Sequence, residues 1–192
     1  MKGLERKREL LLQQELSFAN AIGAEVFQKP KVSYWMVLAP FLFLYFIYRM
    51  QKYKSGRIVF DRDFMVTRRK AMDLATGAIE SGARPDIDAI ARDAGLRDAL
   101  EKPYGAWLRA LVDYYTDLLA APGDSFAALV RSAYRTLGDY LLALNRLGSV
   151  EKEFYAALKS QMTTTEGAAD VITLIEEHSR RLRRESAERI FA

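Results

Sequence analysis

The chain has 192 residues, is half hydrophobic and 28% charged, and carries a formal net charge of +4, so it can bury one sizeable core and is too apolar for a disordered tail. It has no Cys and one His, which leaves no thiolate nucleophile, zinc ribbon, iron–sulfur site or His-rich metal centre. The phosphate-cradling patterns G-x-x-x-x-G-K-[ST] and G-x-G-x-x-G and the serine elbow G-x-S-x-G do not occur either. No metal, no cofactor and no catalytic residue is therefore expected.

In chain order, residues 1–30 form an N-terminal arm. Leu12, Leu16, Ala19, Ile22, Gly23 and Val26 recur at helical spacing until Lys29-Pro30, which predicts an amphipathic helix. It can pack on its own chain or lie against a membrane or a partner. Residues 31–49 follow as a membrane segment. Val32 to Tyr48 is a run of 17 residues without a charge, about 25 Å long as a helix, and Lys31 and Arg49 can lengthen it by snorkelling. Tyr34 and Trp35 at one end and Tyr45 and Tyr48 at the other suit headgroup levels. Pro40 in its middle removes a backbone donor, so the segment either crosses with a kink or re-enters as a hairpin.

Residues 50–60 are a basic juxtamembrane linker. Arg49, Lys52, Lys54, Arg57, Arg62, Arg68 and Arg69 follow the apolar run, against Lys29 and Lys31 just before it. That excess places the following domain in the cytoplasm of a bacterial inner membrane, with Arg49, Lys52, Lys54 and Arg57 on anionic lipid. Residues 71–179 hold ten basic and seventeen acidic side chains, so the positive charge sits near the anchor and at the C-terminal end. An acidic body argues against nucleic acid as a partner.

Residues 61–192 read as a bundle of about six helices. Met65, Met72, Ala75 and Ile79 line the first, which ends near Ser81-Gly82. A short second one starts at Pro85-Asp86, buries Ile87, Ile90 and Ala91, and stops at Gly95. Asp86, Asp88 and Asp93 lack the Gly and terminal Glu of a calcium loop and read as dipole partners of that helix. Trp107, Leu108, Leu111, Val112, Tyr115, Leu118 and Leu119 mark the third, ended by Ala121-Pro122-Gly123. In the fourth, Phe126, Val130, Ala133, Leu137, Tyr140, Leu144 and Leu147 step by four and three residues up to Gly148. Such a seam wants a helix of the same chain, or of a second copy in a homo-oligomer. Val150, Phe154, Ala157 and Leu158 mark the fifth.

The last helix begins at the capping box Thr163-x-x-Glu166 and carries Ala168, Val171, Ile175, His178 and Leu182, with His178 structural. Beyond Leu182 the apolar seam fails. Arg180, Arg181, Arg183, Arg184 and Arg189 are then expected on a protruding basic end with Ile190 and Phe191 as its apolar tip, suited to an acidic partner or anionic lipid.

Within the second helix, Ile90-Ala91-Arg92-Asp93-Ala94-Gly95-Leu96 resembles the first helix and turn of bacterial helix-turn-helix regulators. The resemblance covers seven residues and implies a membrane-tethered DNA-binding regulator. That family needs a long recognition helix next, whereas Pro103 is expected to stop this one after Lys102.

The sequence therefore predicts an all-α membrane protein, single-pass or re-entrant, that works by binding as an adaptor or accessory subunit of a membrane complex. Its expected partners are membrane lipid and another protein. The alternative is a membrane-bound enzyme whose active site the sequence does not display.

Overall fold

The computed structural model describes residues 2–26, 56–161 and 168–192, and across them the chain is all-α, with seven helices and no strand. They are α1 (Lys2–Val26), α2 (Gly56–Ser81), α3 (Ile87–Arg92), α4 (Asp98–Ala120), α5 (Phe126–Ala133), α6 (Leu137–Gln161) and α7 (Ala168–Phe191). No described helix is long and apolar enough to cross a membrane. The apolar run 32–48, the Lys29-Pro30 stop and the capping box Thr163–Glu166 all lie outside the described residues.

The core is organised around α4. Leu100, Tyr104, Trp107, Leu108, Leu111, Tyr115 and Leu118 are buried on several of its sides, because α1, α2, α3, α5 and α6 all pack on it. Trp107 stacks on Phe154 of α6 with ring centroids 5.1 Å apart and meets Tyr104 edge-on at 6.5 Å. Pro103 does not end this helix, contrary to expectation. Near the N-terminal end a proline forfeits the single bond to the Ala99 carbonyl, and burial of Leu100 before it and Tyr104 after it outweighs that loss. The helix that follows the stretch resembling helix-turn-helix regulators is the centre of the bundle, with its apolar side chains covered by neighbouring helices.

The helix ends follow local chemistry. Asp86 caps α3 by accepting from the Ala89 N–H at 3.0 Å, and Asp88 pairs with Arg109 of α4 at 2.8 Å, so these carboxylates serve the α3 terminus and its docking. After α2 the chain turns at Gly82, whose φ of 71° is open to glycine at little cost. At the Ala121-Pro122-Gly123 turn the constraint is space, since a Cβ on Gly123 would lie 2.9 Å from the Leu129 nitrogen.

The predicted fourth and fifth helices are divided differently. The chain breaks at Tyr134, not at Gly148, so the heptad seam is split between α5 and α6 and α6 runs on through Gly148 to Gln161. Tyr134 is extended (φ −123°, ψ 108°), and its hydroxyl donates to Asp117 of α4 at 3.2 Å. Thr136 then restarts the helix by accepting from the Asp139 N–H at 3.1 Å while donating to its carboxylate at 2.7 Å. The seam residues Val130, Tyr140, Leu144 and Leu147 are buried within the chain itself.

The arm helix α1 also belongs to this core. Leu11, Ala19 and Ile22 are at most 1% exposed, and α1 packs on α2, α4, α5 and α7. It runs antiparallel to α2: Arg8 pairs with Asp73, Glu15 with Arg68, and Phe18 lies 6.1 Å from Phe64.

Gly77 sits inside α2 with nothing within 4 Å of a built Cβ, so Gly77→Ala should raise stability by about 0.5–1 kcal/mol, a melting shift of roughly 1–4 °C. Gly123→Ala should lower it by about 1–3 kcal/mol, because the new methyl meets backbone. Thermal melts followed by circular dichroism would check both signs.

Candidate functional site

Four charged side chains meet inside the bundle, one each from α1, α2, α6 and α7. Arg68 of α2 is fully buried, and its Nη2 donates to Glu151 Oε1 of α6 at 3.0 Å. Its Nη1 donates to the Phe64 carbonyl at 3.2 Å, and its guanidinium lies 3.6 Å over the Phe64 ring. Its Nε is 3.0 Å from Glu15 Oε2 of α1 without the alignment of a hydrogen bond, so that contact is an ion pair alone. Glu151 accepts a second time, through Oε2, from Arg183 Nη1 of α7. The order Glu15, Arg68, Glu151, Arg183 alternates in sign and sums to zero.

This neutrality is what makes the burial tolerable. Burial alone would raise the Glu151 carboxyl, but the charges of Arg183 and Arg68 and their hydrogen bonds outweigh it and hold it below the usual carboxylate range. Burial likewise lowers the Arg68 guanidinium, yet Glu151 and Glu15 more than compensate and raise it. Around the network stand Tyr115, Tyr155 and the pair Tyr114–Tyr140, whose hydroxyls are 3.0 Å apart. Burial above all pushes these phenols up, that of Tyr140 to about 12 against the lowering effect of its hydrogen bond with Tyr114.

The outer end of the network forms the floor of a groove of about 570 Å³ between α6 and α7. Glu151, Tyr155 and Arg183 lie at the bottom, and Lys152, Arg180 and Arg184 stand on its walls. Lys159 bridges the helices towards one end, 3.1 Å from both Glu176 and Thr173. Among the described residues no group of three or more His, Asp or Glu side chains is placed to hold a metal ion.

Of the residues singled out in the sequence, Tyr34, Trp35, Pro40, Tyr45, Tyr48, Arg49, Lys52 and Lys54 lie outside the described residues, and Arg57 is the second residue of α2. Arg180, Arg183 and Arg184 do come together, on the groove. Arg181 points elsewhere and pairs with Glu185 at 3.0 Å. The end of α7 does not protrude as expected. Ala187 and Ile190 are buried, Arg131 of α5 donates to the Ile190 carbonyl at 2.8 Å, and Phe191 lies 6.1 Å from Tyr140, so α1, α5 and α6 cover the supposed apolar tip. Arg183, with 13% of its side chain exposed, is a core group and not part of a solvated basic end.

Arg68 likewise belongs to the core and not to the basic stretch that follows the apolar run. Glu15 and Glu151 were not foreseen, although each interrupts an apolar stripe at helical spacing. His178 lies 3.4 Å from Arg181 through Nδ1. Compared with protein-family patterns, curated proteins and solved structures, the chain matches none.

Removing one member of the network leaves its partner buried and uncompensated, so Glu151→Gln or Arg68→Met should cost roughly 3–5 kcal/mol, a large part of a typical domain's stability. Because the folded Glu151 carboxyl is depressed, its contribution is complete above the unfolded carboxylate value of about 4.3 and is lost as pH falls through the lower folded value. Urea titrations at pH 7 and pH 3 should show a smaller difference between parent and Glu151→Gln at the acid pH.

Proposed function

We propose that this protein is a membrane-tethered helical adaptor, an accessory subunit that holds a protein partner at the cytoplasmic face of a bacterial inner membrane. The groove between α6 and α7 carries this reading, because it sets Lys152, Arg180 and Arg184 on two helices whose relative position the Glu151–Arg183 pair fixes from beneath. Side chains held on rigid helices make a defined surface, which a frayed basic tail would not. These three cations, Arg184 in an exposed pair with Glu188 at 2.9 Å, outnumber the exposed groove carboxylate Glu177 and suit carboxylates of an acidic partner. The tether rests on the uncharged run Val32–Tyr48 with its aromatic ends and on the basic residues Arg49, Lys52, Lys54 and Arg57 that follow it.

An enzyme would instead need reactive groups converging in the groove. Its two buried charges, Glu151 and Arg183, are engaged with each other and, for Glu151, with Arg68. The observations therefore favour binding over catalysis.

The triple variant Lys152→Gln, Arg180→Gln, Arg184→Gln should melt within about 0.5 kcal/mol of the parent, since exposed charges contribute little. It should lose most of any partner recovered with the parent from membranes in mild detergent. High salt should reproduce that loss in the parent. Equal recovery by both proteins at low and high salt would remove the groove from consideration. Arg183→Gln serves as the contrast and should destabilise the fold.

A further inference from the structure

We infer that the element seated in the groove between α6 and α7 is an amphipathic helix of the partner, acidic where it meets Lys152, Arg180 and Arg184 and apolar where it meets Leu141, Leu142 and Leu144. This rests on the adaptor reading above and adds the chemistry and shape of what is held.

The groove changes character along its length. α6 and α7 run antiparallel, and three contacts mark successive levels: Lys159 with Glu176, Glu151 with Arg183, and Tyr140 with Phe191. The first is an ion pair across the groove and closes that end. Lys152, Arg180 and Arg184 stand around the second. Towards the third the lining turns to Leu141 and Leu144, and beside them Leu142 is 51% exposed. A single exposed leucine is ordinary on a surface, but this one extends the apolar end of a groove. It shares a side of α6 with Asn145, Ser149 and Lys152, at steps of three, four and three residues. Leucine at one end of that row and a cation at the other, about 15 Å along the helix, call for an occupant that is apolar at one level and acidic at the next.

The walls set the occupant's backbone conformation. Both are helices whose N–H and C=O groups pair within themselves, so an extended chain between them would find no ladder to join and would lay unpaired backbone groups against leucine. A helix brings its own backbone bonds and buries one apolar stripe. Gly148 sits in the middle of the lining, and a Cβ built on it meets nothing within 4 Å, so there is room for a neighbour there. The cations can also change partner readily. Arg184 holds Glu188 only in an exposed pair one turn away, which contributes little, whereas Arg183 beneath stays with Glu151.

The probe is a fluorescein-labelled, Ala-based peptide of about 16 residues, with Glu through its first two turns and Leu at i, i+3 and i+7 beyond them. Binding to the full-length protein in a neutral detergent is followed by fluorescence anisotropy, with empty micelles as the blank. The parent should bind. Gly148→Leu fills the groove from within and replaces a glycine in a helix interior, so it should melt no lower than the parent and weaken binding about tenfold or more. Leu142→Ser, at an exposed position, should weaken binding without touching a charge. High salt should weaken binding by the parent and leave the further loss from Gly148→Leu in place. A peptide with two central prolines, which cannot form the helix, should not bind. Equal binding of the helical peptide by the parent and both variants would overturn the groove as its seat. Equal binding of the proline peptide would overturn the helical occupant, and no binding by the parent at about millimolar peptide would overturn the inference as a whole. The adaptor reading is judged separately, by whether the Lys152, Arg180 and Arg184 variant loses its partner from membranes.

Discussion

The buried guanidinium of Arg68 is the constraint on which the rest of this bundle depends. A charge at 0% exposure is tolerated only when opposite charge is brought to it, and here Glu15 and Glu151 arrive from helices on either side in the sequence. Glu151 would itself be overcommitted without Arg183. Four helices are thus tied in one relative position by a requirement of neutrality, something that apolar contacts, which tolerate sliding, do not impose. The groove inherits its shape from the same tie, since the Glu151–Arg183 pair is both the outer end of the network and the groove's floor.

Much of the fold was legible in the sequence because most helices announce themselves by an apolar stripe and a stop. The all-α class, the ends at Ser81-Gly82 and Ala121-Gly123, and the cap at Asp86 follow from local chemistry that tertiary packing had no reason to override. The break between α5 and α6 was misplaced because a seam of constant period looks continuous when only its apolar members are read. Its local signal was Thr136 followed three residues later by Asp139, a capping pattern hidden by the regular step from Ala133 to Leu137. Gly148 reads as a stop, but a glycine inside a helix costs only about 1 kcal/mol, and buried Leu144, Leu147 and Phe154 on the two sides of it outweigh that.

The site was the less legible part, for a different reason. A charge on a helix reads as surface by default, which groups Arg68 with the basic flank and Arg183 with the basic C-terminal end. Each of the four network residues nevertheless sits on an apolar stripe: Arg68 between Phe64 and Met72, Glu15 between Leu11 and Ala19, Glu151 between Leu147 and Phe154, and Arg183 on the face of Ile175, Ala187 and Ile190. Two basic and two acidic interruptions in one bundle are a signal of internal pairing. Periodicity alone could not show which helices would meet, so the pairing itself became visible only in three dimensions.

The packing of α1 against α7 sets the order in which this protein can be made. Phe18 and Arg183, 5.3 Å apart in the folded chain, are separated by 165 positions in the sequence. At roughly 5–20 residues per second, a ribosome needs on the order of ten to thirty seconds to produce the second after the first. During that interval α1 can already meet α2, which brings Arg68 to Glu15, whereas its contacts with α7 are of very long sequence separation and wait for the end of synthesis. The side of α1 that α7 covers is then the last part of the core to be closed.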